Sequence, residues 1–265
     1  VNLGDFGNGT EVIEWTKPKK EAMFIDLIKE LDNVSGIERF RISSIEPNLL
    51  SEEVLEVVAN SKNIVPHFHI PLQSGSQELL RKMKRRYKAT YYHDLVLRIK
   101  EVMPHCCIGV DVIVGFPGET DELAKETYDF LNGLPVTYLH VFTYSERENT
   151  KAIDYEGVVP HQVRKERTHQ LRDLSDRKRI EFDQSQVGTE RVIIPEMYNE
   201  QNGMWKGWTE NYVNVIFPAP ADLPQVPHKI QLNNMIESRV FGELTELRTE
   251  IKRTPTKRFK LPVIG

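Results

Sequence analysis

The sequence predicts a parallel α/β unit of barrel or partial-barrel type, followed by a small all-β module. Three observations predict it. Strand-like and helix-like segments alternate through the first 145 residues with helix-length crossovers, as parallel strands require. Residues 107–114 (C-I-G-V-D-V-I-V) form a near-continuous apolar run, the pattern of a central strand covered on both faces. From Val187 onward helical spacing gives way to short alternating strands and turns, the text of a compact barrel.

The elements follow in order. Residues 21–31 place Met23, Ile25, Leu27, Ile28 and Leu31 near helical spacing, and residues 33–36 break it. Residues 39–45 (R-F-R-I-S-S-I) alternate as a strand that Pro47 stops. Ser51 then caps a helix whose first turn carries Glu52 and Glu53. Residues 67–76 (H-F-H-I-P-L-Q-S-G-S) read as a buried strand ending in a polar turn, with His67 and His69 on one face and Ile70 and Leu72 on the other. Helices are expected from Gln77, over 90–102 and over 119–131, with strands at 107–114 and 138–144. Residues 161–186 form a long charged helix carrying seven Arg or Lys and five acids.

Composition narrows the function classes. A chain of 265 residues with 39% hydrophobic and 28% charged residues is long enough for one large or two ordinary globular domains. No apolar run suggests a membrane span and no secretory signal opens the chain. The opening at Val1, followed by N-L-G-D-F-G-N-G, reads as a chain that starts inside a domain. Cys106 and Cys107 are adjacent, so a strand points them to opposite faces; they read as buried structural thiols. Lacking a disulfide framework, the chain is expected in the cytoplasm. The net charge of −4 opposes general avidity for nucleic acid. Two basic runs, 81–88 (R-K-M-K-R-R-Y-K) and the tail from Ile251, nevertheless suit phosphate contact as well as a solvated face.

Polar clusters end every strand of the α/β part: R-I-S-S-I-E-P (41–47), H-I-P-L-Q-S-G-S (69–76), D-V-I-V-G-F-P-G-E-T (111–120) and V-F-T-Y-S-E-R-E-N-T (141–150). Sites on parallel sheets form at such ends. With M-K-R-R-Y (83–87) and G-W-T-E-N-Y-V (207–213), the chain closely resembles the radical S-adenosylmethionine methylthiotransferases. The resemblance runs from Val1 to about Lys252. It implies a partial TIM-type barrel over 1–186, with a connecting helix at 161–186. A TRAM (OB-like) β-barrel over 187–252 and a basic tail at 253–265 would follow. R-I-S-S-I-E-P and G-W-T-E-N-Y-V look most like the branch that adds a methylthio group to C2 of N6-threonylcarbamoyladenosine beside the tRNA anticodon. The isopentenyladenosine branch is the nearest alternative, and a cluster-free RNA-binding protein is the alternative of a different class.

The resemblance also implies cofactors: S-adenosylmethionine, and two 4Fe-4S clusters in the intact enzyme. The six cluster cysteines of the family are absent, and soft thiolates are what such clusters need. The expectation is therefore a fragment that binds no cluster and is inactive alone, with no metal site. The implied partner is the tRNA anticodon stem-loop, met by a monomer without membrane attachment. A second departure is Asn149, where the family has glycine.

Site residues follow from the strand ends. Ser43, Ser44, Glu46, Gln73 and Ser74 are expected to hold the ribose and amino acid of the cofactor. Arg86 would meet its carboxylate as a planar fork, although Arg85 and Arg86 serve equally for RNA phosphate. Asp111, within an apolar strand, needs a partner or a ligand. Val114, Gly115 and Phe116 would wall the adenine, a plain tight turn being the competing reading. Tyr144, Ser145 and Arg147 are expected to face substrate. Trp205, Lys206, Trp208, Tyr212, Lys252 and Arg253 would grip RNA, with core packing the competing role for the aromatic residues.

Overall fold

The computed structural model describes residues 24–148 and 150–248. The expected helix start at Glu21 and Met23, the Asn149 turn, and Lys252 and Arg253 lie outside the described residues. Three parallel strands, β1 (His67–His69), β2 (Cys107–Val114) and β3 (Tyr138–Thr143), form a sheet in that order. Among the described residues six helices accompany them: α1 (Phe24–Asp32), α2 (Glu52–Asn60), α3 (Gln77–Lys82), α4 (Ala89–Val102), α5 (Asp121–Gly133) and α6 (His161–Gln186). Two helix starts are capped as their sequences ask. Ser51 Oγ accepts from the Val54 N–H, and Thr120 Oγ1 from the Leu123 N–H.

The central strand divides its side chains by period two. Ile108, Val110, Val112 and Val114 join Phe68, Ile70 and Leu72 in one core with the apolar faces of α1, α2 and α4. Asp111 and Ile113, pointing the other way, are only half-buried. The strand is thus covered on one face only towards its C-terminal end, a correction to the reading of 107–114 as covered on both. Asp111 is the physical reason: an ionised group needs polar company, not a second apolar layer.

Residues 39–45 also depart from expectation. They form no ladder, only an isolated bridge from Phe40 to Ile64 and an Ile45 N–H bond to the His69 carbonyl at 3.0 Å. Arg39 instead reaches away from the sheet to donate to the carbonyls of Val192 (2.9 Å) and Trp208 (3.2 Å). On the opposite edge, Ser175 of α6 serves the outer backbone of β3. It accepts from the Leu139 N–H at 2.8 Å and donates to the Leu139 carbonyl at 3.2 Å. At Leu139 that edge is closed to further pairing.

After α6 come β4 (Glu190–Asn199), β5 (Met204–Thr209), β6 (Asn214–Pro218), β7 (His228–Ile236) and β8 (Arg239–Glu246). They close into a barrel in the order β4-β5-β6-β8-β7. Ile193, Val215, Phe217, Ile230 and Leu232 fill it. Glu237 and Ser238, at φ 48° and 62°, make the two-residue left-handed turn that fits the twist of the β7–β8 hairpin. Among the described residues, no helix is long and apolar enough to cross a membrane.

A polar and aromatic joint ties the two parts together. Asn211, fully buried, donates to the His105 carbonyl (3.1 Å) and to Gln186 Oε1 (2.9 Å), and accepts from Thr209 (2.7 Å). Arg179 of α6 lies 4.8 Å from the Tyr138 ring and donates to the Tyr212 carbonyl at 3.0 Å.

Behind Arg179, Asp183 is buried; its Oδ1 has no hydrogen-bond partner and lies 3.8 Å from the guanidinium. Burial, opposed by Arg179, pushes its pKa up to about 6. A folded-state pKa above the unfolded value of about 3.9 means that the folded chain holds the extra proton, so stability falls as pH rises from about 4 to 6. Asp183→Asn removes that penalty. It is expected to stabilise the chain by about 1–3 kcal/mol at pH 7.5, with the gain vanishing near pH 4; urea midpoints at the two pH values measure it.

Candidate active site on the open face of the sheet

The open face carries its chemistry on three neighbouring strands. His67 and His69 come from β1, Asp111 from β2, and Tyr138, His140 and Phe142 from β3; the register sets Asp111 beside His140. Asp111 Oδ1 lies 2.8 Å from His69 Nε2 and 3.5 Å from His140 Nδ1. The partner that the Asp111 carboxylate needs is therefore an imidazole pair. Gly109 leaves room for Tyr138 to lean across β2: a Cβ there would lie 2.3 Å from the tyrosine ring. The Tyr138 hydroxyl meets His67 Nε2 at 3.1 Å. Burial, helped by Arg41, holds the His67 pKa down to about 3, so this imidazole stays neutral.

Beyond Asp111 the face opens into a cavity of about 380 Å³, lined among others by Gln73, Phe142, Tyr144, Ser145 and Arg147. Gln73 adopts a left-handed backbone (φ 72°), rare for a side chain of its kind. Its N–H donates to the Asp111 carbonyl and its carbonyl accepts from the Ile113 N–H, at 2.8 and 2.9 Å. This kink holds the turn after β1 against β2 through an isolated bridge to Val112. The Tyr144 hydroxyl is buried with no hydrogen-bond partner. Half of the Phe142 side chain is exposed, an unusual state for a large apolar group.

The expected cofactor residues separate in the structure. Gln73 and Asp111 reach the cavity, as do the expected substrate residues Tyr144, Ser145 and Arg147. Ser74 does not: it is 1% exposed, its hydroxyl meets Thr127 Oγ1 at 3.0 Å and accepts from the Ser76 N–H. Val114 turns into the helix-covered core, because its parity in β2 is opposite to that of Asp111. Gly115 (φ 78°) and Phe116 belong to a closed turn, with the Gly115 N–H donating to Glu119 Oε1 at 2.9 Å and Phe116 edge-on to Tyr144 and Tyr155. Ser43 and Ser44 are exposed, and Glu46 is half-buried before a short 3-10 turn. Arg86 is exposed, whereas Arg85 is half-buried with its Nε lacking a partner.

The expected RNA residues separate likewise. Trp205 is a core residue, 5% exposed, and its indole N–H donates to the Pro220 carbonyl at 2.8 Å. Lys206 is exposed and Trp208 half-buried. Tyr212 stacks on Trp208 at 4.4 Å and lies 4.9 Å from both Arg41 and the His67 ring, so it sits in the joint between the two parts. His140 and Asn211 were not read from the sequence. The 138–143 alternation that pairs His140 with Asp111 was the available signal; for Asn211 there was none.

A family model described as the radical SAM superfamily matches residues 16–131. The threonylcarbamoyladenosine tRNA methylthiotransferase MtaB of Bacillus subtilis is 41% identical over 208 residues, 77% of this chain and 46% of that protein. The chain belongs to the radical S-adenosylmethionine methylthiotransferase family. MtaB of Aquifex aeolicus is 37% identical over 78% of this chain and 49% of its own length. The tRNA-2-methylthio-N(6)-dimethylallyladenosine synthase of Protochlamydia amoebophila is 31% identical over 89% and 52%. The chain spans about half the length of the curated relatives it matches.

The family's cofactors can be tested against these residues. A cubane on three thiolates does not fit this chain. It has two cysteines, both buried; burial pushes the Cys107 thiol up to about 11 and Cys106 higher still. S-adenosylmethionine fits better: the cavity is of ligand size, has an apolar wall at Ile113 and Phe142, and is lined by the polar residues Gln73, Ser145 and Arg147.

The turn that follows β2 depends on Glu119. This carboxylate, buried, takes the Gly115 N–H and Arg167 Nη1 at 2.7 Å. Burial raises its pKa, and both partners oppose the rise. Removing it orphans the Gly115 N–H and leaves the Arg167 guanidinium with Asp121 and the Glu119 carbonyl. Glu119→Ala is expected to cost about 1–3 kcal/mol in urea melts, and Glu119→Gln, which keeps an acceptor, less than half of that.

Proposed function

We propose that this chain forms the cofactor-facing and RNA-facing part of a tRNA methylthiotransferase acting on N6-threonylcarbamoyladenosine. The supporting observation is the 41% identity over three quarters of the chain with a protein named for that reaction. On this reading S-adenosylmethionine supplies both a radical initiator and a methyl group. The residues of this chain bind and orient. Gln73 and Ser145 hold the ribose and amino acid, Arg147 offers its guanidinium to a carboxylate, and Phe142 with Ile113 gives an apolar wall that excludes water. The barrel is the TRAM module, and Lys206 and Trp208 face the anticodon stem-loop by charge and stacking.

A second reading, action on the dimethylallyl (isopentenyl) base, is carried by relatives of that name that match more of the chain. Nucleoside mass spectrometry of tRNA from a strain lacking the gene separates the two. Loss of the methylthio form of threonylcarbamoyladenosine alone is expected; loss of the methylthio dimethylallyl base instead, or an unchanged profile, overturns the assignment. For the RNA face, Lys206→Glu with Trp208→Ala is expected to weaken binding of an anticodon stem-loop by about tenfold or more, measured by fluorescence anisotropy at fixed salt.

A further inference from the structure

We propose that His69, Asp111 and His140 form a site for one divalent transition-metal ion, open to the cavity. The three side chains come from three adjacent parallel strands, and their ligand atoms all lie within 4.8 Å of one another. A tetrahedral ion with bonds of about 2.0–2.1 Å sets its ligands about 3.3 Å apart. The contacts from Asp111 Oδ1, 2.8 Å to His69 and 3.5 Å to His140, bracket that separation. Side-chain rotation alone admits the ion, because all three groups hang from fixed sheet positions. Two imidazoles and one carboxylate select zinc, iron or cobalt over magnesium and calcium, which want oxygen ligands only.

The surroundings suit an ion that also meets a ligand. Tyr138 lies beside both imidazoles, its ring centre 6.2 Å from His69 and 5.1 Å from His140. His69 and Asp111 side chains are sheltered, at 10% and 21% exposure, and His140 at 54% gives the entry path. Two cations reach this face: Arg179 is held over Tyr138 and on the Tyr212 carbonyl, and Arg41 over the Tyr212 ring. Three protein ligands leave a fourth position towards the cavity that Asp111 lines. That position would take an oxygen donor, a carboxylate or carbonyl, of the molecule bound there. The site departs from the expectation of no metal, which followed from cysteines alone.

Cobalt(II) is the probe, added to the chelator-treated, tag-free chain. About one equivalent is expected to bind, with visible ligand-field bands and no sulfur charge-transfer band, since the site has no thiolate. His140→Ala, at an exposed position, and Asp111→Asn are each expected to weaken binding by about tenfold or more, while Cys107→Ser leaves the spectrum unchanged. Circular dichroism verifies that each variant is folded. No binding by the unmodified chain, or equal binding by the folded His140→Ala chain, overturns the site and leaves His69–Asp111 as a hydrogen-bonded pair only.

Discussion

A carboxylate in the middle strand of a parallel sheet is the constraint from which much of this structure follows. Asp111 sits where the neighbouring residues of β2 are apolar. Its face of the sheet cannot be sealed by a helix without stranding the charge. The strands on either side answer with imidazoles, His69 and His140. Once that face is polar it remains open to solvent towards the strand ends, as the half-exposed Phe142 shows. The opposite face takes the whole apolar burden of Phe68, Ile70, Leu72 and the even-numbered residues of β2. One strand therefore fixes both where the core lies and where a ligand can approach.

The second part of the chain enters this arrangement through its joint. Tyr212 brings the barrel against His67 and the Arg41 and Arg179 cations, while Asn211 binds α6 and His105, in the turn that leads into β2, at once. A buried amide with all its partners supplied is a rigid and specific connection. Arg39 adds two bonds to barrel carbonyls from the other side. The outer surface of the barrel is thereby held at a fixed orientation to the open face.

Much of this was legible in the sequence. A near-continuous apolar run located β2, helical spacing and the Ser51 cap located helices, and polar strand ends pointed to the cavity that Gln73, Tyr144, Ser145 and Arg147 line. What failed did so for physical reasons. A stretch that alternates like a strand becomes one only if a neighbour accepts its ladder, and residues 39–45 spend Arg39 on the barrel instead. Ser74 and Val114 lie in the right turns but point away, since parity and local hydrogen bonding decide orientation. Trp205 is buried because a small barrel needs a large side chain to fill it, and its indole finds a carbonyl inside.

The same comparison separates what motifs carry from what they do not. G-W-T-E-N-Y-V resembles a recognition sequence, yet Asn211 and Tyr212 are spent on the joint, and half-buried Trp208 stacks one face on Tyr212. V-G-F-P-G-E resembles a cofactor loop, yet Glu119 and Arg167 lock it into a closed turn. Such residues act on a ligand by holding the backbone around it. The groups left free to touch one are those without a structural obligation: Gln73, Phe142, Ser145, Arg147 and the open side of the Asp111 cluster. A motif kept by a family thus mixes two kinds of residue, and only the hydrogen-bond partners of each side chain tell which kind it is.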